Sequence, residues 1–391
     1  MSPGLRRLSR RAEQAPGPSR TVAALIELAR DGAAPLASGL TPADAPATIA
    51  TVIPSFRRGS GGHATIVHLL KGLRALGHSV SVWLEDCEGR HANESKALIK
   101  RSFAEFFGAD ELELHTDFDG WRGADVVLAT GWQTVAPVLM LGGTHARAYL
   151  VQDHEPDFYP ASAESMWAAQ TYRQGLHCIA ASPWLAELLR TRYGAEATHF
   201  DLAVEHAVYA PREELRRDDL VVFYARSATP RRAVPLGLAA LDELARTRPE
   251  LEICLYGEAE TARAATAHRQ LGILDAARLT ELYSQATVGL TLSVTNPSLV
   301  SLEMMACGLP CVELASEAML STFGEQGAPV LADPDPVSLC EALVALLDDA
   351  ERRRQLAAAG LALMRERTWS RAASQVSIGI DLALRQATGR R

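Results

Sequence analysis

From Ala47 onward, apolar-rich runs of three to six residues alternate with stretches of helical period, and the whole alternation occurs twice. In the first series the runs are 48–53, 79–84, 125–129, 148–151 and 177–180, with helical patterns at 63–75 and 183–193. Short apolar runs separated by amphipathic helices fit strands buried on both faces, and a helix-covered parallel sheet supplies that burial. The rhythm pauses over 209–219, a polar stretch rich in Arg and Glu that reads as an interdomain linker. It resumes with strands expected at 220–224, 251–256, 288–292, 311–314 and 329–331 and helices at 234–245, 279–285 and 298–307. Helical patterns at 336–347 and 350–367 follow, then Trp369 and a last helix to about residue 384. The expected class is α/β, with two Rossmann-like, doubly wound parallel-sheet domains facing a cleft. The expected division is an N-terminal extension (1–46), a first domain (47–208), a second domain (209–368) and a C-terminal helix (369–391).

At 391 residues and 48% hydrophobic content the chain can build two ordinary cores. Its net charge of −8 argues against a nucleic-acid partner, because binding to phosphates usually draws on a basic excess. Any anionic ligand must therefore meet a local basic cluster. The six cysteines (Cys87, Cys178, Cys254, Cys307, Cys311 and Cys340) show neither metal-ligand nor disulfide spacing, which favours a reducing cytoplasm. No apolar run reaches the roughly 18 residues needed to span a bilayer, and no signal-peptide core follows the first Arg residues. Residues 1–46 carry Arg6, Arg7, Arg10 and Arg11 close together and one short helical pattern over 21–30. A flexible, loosely attached extension is the favoured reading there, and a peripheral contact with the inner face of the cell membrane stays open.

The most informative motif is a strand-turn-helix-turn-strand unit, Thr295-Asn296-Pro297-Ser298-Leu299-Val300-Ser301-Leu302-Glu303 continuing to Gly308-Leu309-Pro310. The first amides of a helix opened by Ser298 lack internal acceptors and sit at the positive end of the dipole, so they attract phosphate oxygens. Glu303, on the early turns of that helix, can accept hydrogen bonds from two neighbouring sugar hydroxyls. The unit resembles the signature of the retaining GT-B glycosyltransferases of family 4: Glu, seven residues, Glu, then small residues and Gly-x-Pro. The resemblance implies that Glu303 holds a nucleotide ribose and that Leu299 and Val300 hold a diphosphate. Thr295 occupies the place of the signature's first Glu, the usual donor-sugar contact.

Other segments extend that resemblance. Gly61 and Gly62 match a Gly-Gly loop that lets the backbone approach a phosphate or an acceptor. Arg226 and Arg231 stand at the five-residue offset where the family places Arg and Lys to neutralise the leaving diphosphate. Gly257 and Glu258 match its strand-Gly-acid turn beside the nucleotide base. Gln152-Asp153-His154-Glu155-Pro156 is similar to a Gln-Asp-Tyr-Glu-Pro motif of bacterial rhamnosyltransferases of the WsaF type, with His154 where Tyr is usual. That similarity implies a catalytic segment, Asp153, His154 and Glu155, facing the acceptor hydroxyl.

The expected activity is transfer of a sugar, L-rhamnose from its dTDP form by resemblance, to a glycan, lipid-linked or small-molecule hydroxyl acceptor. The donor is a dTDP- or UDP-sugar and no metal or other cofactor is expected, since no Asp-x-Asp motif lies between the domains. Three rivals remain at this stage. A nicotinamide oxidoreductase would use Gly59, Gly61 and Ala64 with Glu85 or Asp86 as the ribose acid. A nucleotide-sugar epimerase or an inactive nucleotide-sugar-binding subunit would share the donor site.

Overall fold

The computed structural model describes residues 19–39, 45–259 and 265–389. Arg6, Arg7, Arg10 and Arg11 lie outside them. The first domain contains strands β1 (Thr48–Pro54), β2 (Ser79–Glu85), β3 (Leu114–His115), β4 (Ala124–Ala129), β5 (Thr144–Val151), β6 (His177–Ala180) and β7 (Ala197–His199). Its helices are α1 (Arg20–Asp31), α2 (Gly61–Ala75), α3 (Lys96–Phe107), α4 (Trp132–Met140), α5 (Ala163–Thr171) and α6 (Pro183–Tyr193). All seven strands pair in parallel in the order β3-β2-β1-β4-β5-β6-β7. The second domain holds β8 (Leu220–Tyr224), α7 (Val234–Thr247), β9 (Glu252–Tyr256), β10 (Arg269–Gln270), α8 (Ala276–Gln285), β11 (Val288–Leu290), α9 (Leu299–Ala306), β12 (Cys311–Leu314), α10 (Glu317–Phe323) and β13 (Val330–Ala332). Its strands form a parallel sheet in the order β10-β9-β8-β11-β12-β13. In each sheet the strand order reverses beside the first strand of the domain, and such a switch point opens a crevice beyond the carboxyl ends of the strands. The two crevices face one another.

The central strands are buried on both faces, as their unbroken apolar runs require: Val126, Val127, Leu128 and Ala129 are at most 1% exposed. Helices α11 (Pro336–Asp348) and α12 (Ala350–Arg365) close the second domain, and α13 (Trp369–Gly389) returns to the first. There α13 lies against α2 and the β5–β7 side of the sheet. Trp369 stacks on His68 at 4.6 Å, Ser377 lies 3.0 Å from His78 Nε2, and Gln375 exchanges hydrogen bonds with Asp201. Among the described residues, no helix is long and apolar enough to cross a membrane.

The extension is not loose throughout. Helix α1, capped by the Ser19 hydroxyl, is followed by a segment whose amides at Ala34 and Ala37 donate to Leu139 and Thr144 carbonyls. Arg147 returns a bond to the Ala34 carbonyl, and Leu28 packs on the core beneath β5 and β6. Residues 19–39 therefore pack on the first domain, where Val22, Leu25 and Leu28 of the amphipathic pattern at 21–30 are half-buried and the helix lies against α4. Short elements escaped the sequence reading, among them β3, β7 and β10, whose two or three residues are too few to show a period.

The docking of α13 depends on close backbone approach. A Cβ on Gly72 would stand 2.4 Å from the Cβ of Ala373, which has no rotamer by which to yield. Gly72→Ala is expected to cost about 1–3 kcal/mol of stability, read as a lowered thermal or urea midpoint; an unchanged midpoint would show that α13 does not hold this position in solution.

Candidate functional site

Four loops meet where the crevices face. After β1, Gly61 and Gly62 open α2; the Gly62 carbonyl accepts a hydrogen bond from Gln152 Nε2 at 3.1 Å. A Cβ on Gly61 would lie 3.9 Å from Leu299 Cδ1, so this loop reaches the start of α9 across the cleft. Arg226, just beyond β8, donates from Nη1 to the Gly59 carbonyl at 3.4 Å. Gly61, Gly62, Arg226 and Leu299 are therefore neighbours although the chain separates them widely.

The start of α9 is open to a ligand. Ser298 has extended N-cap geometry, yet its hydroxyl caps no amide; its Oγ is buried with no hydrogen-bond partner among the described residues. The amides of Val300 and Ser301 thus lack the side-chain acceptor that a capping serine usually provides, and the Leu299 amide has no intrahelical acceptor in any case. Glu303 sits on the next turn, where burial raises its carboxyl to about 8 and a hydrogen bond from the linker residue Tyr209 partly opposes the rise. Tyr256 and Tyr283, buried and joined through their hydroxyls at 2.9 Å, form the wall behind it. Gly257 is required at φ +114°, where a Cβ would press to 2.6 Å from the Tyr224 ring. Glu258 accepts from the Ala228 amide at 3.2 Å and so steadies the loop that carries Arg226, while its Oε1 is buried with no hydrogen-bond partner among the described residues.

The segment after β5 departs from its expected role. His154 is 1% exposed, and both ring nitrogens are engaged, Nδ1 with Asp157 and Nε2 with the Tyr193 hydroxyl, each at 2.7 Å. Glu155 points inward as well: Oε2 accepts from the Trp132 amide at 2.6 Å, at the first turn of α4, and Oε1 from the Tyr149 hydroxyl at 2.7 Å. As placed, His154 and Glu155 point into the first domain and brace the loop, where the sequence resemblance implied that they face an acceptor hydroxyl. Burial makes that bracing preferable to exposure, because an unpaired polar group there would be costly.

Asp153 alone of the three faces the second domain. Its Oδ1 accepts from the amides of His154 (2.9 Å) and Asn296 (3.1 Å), and its Oδ2 from the Thr295 hydroxyl (3.1 Å). Arg231 Nε forms an ion pair with the same Oδ2 at 3.1 Å. A carboxylate offers about four acceptor positions; three are filled by hydrogen bonds, and the Arg231 charge stands beside them without adding a fourth. Asp153 is thus an interdomain contact before it is a base.

Three residues that the sequence reading passed over complete the site. Asn296, 1% exposed, inserts into the first domain: its Nδ2 donates to the carbonyls of Gln152 (3.0 Å) and Ala181 (3.1 Å), and its Oδ1 accepts from Ser182 at 2.5 Å. Glu313 on β12, fully buried, accepts from the amides of Ser293 (2.6 Å) and Leu314 (3.1 Å) and from the Ser293 hydroxyl, to which Arg232 also donates. Phe158 lies under the Arg231 guanidinium at 4.1 Å. The Asn-Pro pair was the readable signal for the first; a lone Glu within an apolar strand was the signal for the second. Asp86, one of the two acids of the dinucleotide reading, is held by the Ser55 hydroxyl and the His91 amide, which leaves Glu85 as the ribose acid that reading would use. Among the described residues, no group of three or more His, Cys, Asp or Glu could hold a metal.

The buried carboxyls give stability a direction with pH. Burial pushes Glu155 and Glu313 up to about 7 and Glu303 to about 8. The folded state keeps these protons after the unfolded chain has lost them, so stability falls as pH rises toward 8. His63, lowered to about 4 by burial, acts in the opposite direction but only below its ordinary 6.5. Between pH 6.5 and 8 the unfolding midpoint should therefore drop by a few degrees, and Glu313→Gln should flatten the slope; a midpoint that rises over this interval would contradict the burial of these carboxyls.

Comparison with known proteins places these features in a family. Residues 121–182 match the family described as WsaF, N-terminal domain, and residues 219–344 that described as WsaF, C-terminal domain. The O-antigen biosynthesis protein RfbC of Myxococcus xanthus is 33% identical over 266 residues, which is 66% of this chain and 20% of that protein. A phosphatidyl-myo-inositol mannosyltransferase of Mycobacterium tuberculosis is 27% identical over 49% of this chain and 55% of its own length. The chain thus spans a fifth and about half of these two relatives. Among solved structures, TarM of S. aureus, determined with UDP and α-GlcNAc-glycerol, superposes with a TM-score of 0.67 at 8% identity, over 85% of this chain and 99% of that one. The fold is GT-B.

Proposed function

Given a chain that belongs to the GT-B glycosyltransferases and is similar to their WsaF type, we propose that it transfers a sugar from a nucleotide donor to a hydroxyl of a glycan or related acceptor, with dTDP-L-rhamnose as the first donor to test. The observation that carries this reading is the meeting of the Gly61-Gly62 loop, Arg226 and the uncapped start of α9 at one point of the cleft. Transfer separates charge: the diphosphate leaves with the electron pair of the glycosidic bond as the acceptor oxygen attacks, and the proton of the acceptor hydroxyl passes to a departing phosphate oxygen. Preorganised donors aimed at that developing charge supply the largest catalytic term in many enzymes. Here Arg226, Arg231 and the amides of Leu299 and Val300 are the groups of this chain that would do so. Their fixed charge compensates locally for an acidic protein, and nothing in the step calls on a metal ion.

Glu303 would bind the ribose hydroxyls, with Gly257 and Glu258 beside the base. Its carboxyl is easily neutralised in this buried setting, and either protonation state can accept a hydrogen bond from a hydroxyl. RfbC, by its name a protein of O-antigen biosynthesis, and the mannosyltransferase support a polysaccharide or lipid-linked acceptor. The rhamnosyl identity of the donor rests on the resemblance of 152–156 alone. Work at the inner face of the cell membrane would suit such an acceptor.

A thermal-shift titration with dTDP, UDP, GDP, dTDP-L-rhamnose and NAD tests the reading, because a ligand that binds the folded state raises its midpoint. A shift with a nucleoside diphosphate or its sugar ester is expected, and one with NAD alone would replace the proposal with an oxidoreductase. Arg226→Ala should weaken the responding nucleotide about tenfold, measured by calorimetry; an unchanged dissociation constant would remove Arg226 from the diphosphate site.

A further inference from the structure

Arg231 belongs to the second domain, yet what fixes its side chain comes largely from the first. One edge of the guanidinium, Nε, lies 3.1 Å from Asp153 Oδ2, and its face lies over the Phe158 ring with Cζ 4.1 Å from the centroid. Both partners stand on the braced loop after β5, within or just before the 3-10 turn Glu155–Phe158. The backbone beneath Arg231 is equally constrained. Its carbonyl accepts from the Val294 amide at 3.1 Å, and the 3-10 turn Pro230–Arg232 ends on Ala233 at φ +42°, the one non-glycine residue with positive φ among those described. A left-handed alanine is strained and persists only where its surroundings enforce it. With the ring face covered by Phe158 and Nε buried beside Asp153, paired by charge but not by a hydrogen bond, the two terminal nitrogens are the part of the fork left for an anion.

We propose that Phe158 is a positioning residue: together with Asp153 it clamps Arg231 across the domain interface, so that the cation meant for the leaving diphosphate is aimed only when the domains are closed. The inference rests on the reading of Arg231 given above and adds a coupling to it. A nucleotide can bind the second domain while the cleft is open, whereas bond breaking needs the cation in its clamped direction. The contact also explains why an aromatic residue follows the Glu-Pro-Asp turn: an aliphatic side chain would fill the volume but offer no negative face to the guanidinium.

Two measurements on the full-length chain decide it. The first is a double-mutant cycle on urea unfolding with Phe158→Leu, Arg231→Met and the pair. The double variant should lose about fivefold less in folding equilibrium constant than the product of the single losses; simple additivity would mean that the two side chains do not interact, whatever the protein's activity. The second follows hydrolysis of dTDP-L-rhamnose, UDP-glucose and GDP-mannose beside calorimetry with dTDP and UDP. Phe158→Leu should slow turnover of the accepted donor about tenfold while its nucleotide dissociation constant stays within about twofold. Phe158→Tyr, which keeps the ring face, should restore the rate. Wild-type turnover in Phe158→Leu, or equal losses of rate and nucleotide affinity, would overturn the positioning role. Wild-type protein that accepts none of the donors would count against the transferase reading instead, with the unfolding cycle still deciding the clamp.

Discussion

The structure turns on a small set of hydrogen bonds between its domains, centred on Asp153 and Asn296. Each is a buried polar group most of whose partners lie on the other side of the cleft. Alone in its own domain, the Asn296 carboxamide would meet water. Lodged between the ends of β5 and β6, it is saturated by two carbonyls and a serine hydroxyl. Net hydrogen-bond energies are modest, about 1 kcal/mol each, but a buried group deprived of its partner costs more. The closed arrangement is thus favoured less by strong attraction than by the penalty of leaving its parts half-closed.

That logic extends one layer down on each side. In the second domain Glu313 gathers the amides and hydroxyl around Ser293, so the turn bearing Thr295 and Asn296 rests on a rigid base. In the first, Glu155 and His154 hold the Asp153 loop through Trp132, Tyr149, Asp157 and Tyr193. Ionisable groups placed in low-dielectric surroundings shift toward their neutral forms, and the raised Glu155 and Glu313 carboxyls follow from that cause. The polar residues that looked catalytic in the sequence are in large part the supports of residues that face the cleft.

How much of this could be read from the sequence varies with its physical origin. Fold class was legible because buried parallel strands leave continuous apolar runs, and β1, β4, β8 and β11 show them plainly. The strand-turn-helix unit ending in Glu303 was legible because helix starts and glycine turns have local chemistry. The Gln-Asp-His-Glu-Pro segment was legible as unusual but not as to direction: nothing local tells which carboxylate turns outward, since that depends on Trp132, Tyr149 and Tyr193, brought near only by the sheet. The partnership of Phe158 with Arg231, 73 positions apart in the chain, leaves no local trace at all. Docking of 19–39 was under-read because its amphipathic helix is short and its anchoring bonds use backbone atoms, which composition does not reveal.

The return of α13 has a further consequence for what counts as an independent unit. The outgoing connection and the returning one run side by side, with the Val204 amide and a His206 ring nitrogen both 3.3 Å from the Arg367 carbonyl. Two adjacent tethers restrict the second domain to swinging about a line through them and resist twisting about a single strand. They also mean that the first domain is discontinuous in the chain. A fragment cut after the outgoing tether would expose Ile179 and the β5–β7 side of its sheet, whereas one in which the final helix is joined directly to the end of the first domain would carry its own cover. The functional halves of this protein are therefore divided in space but not in sequence.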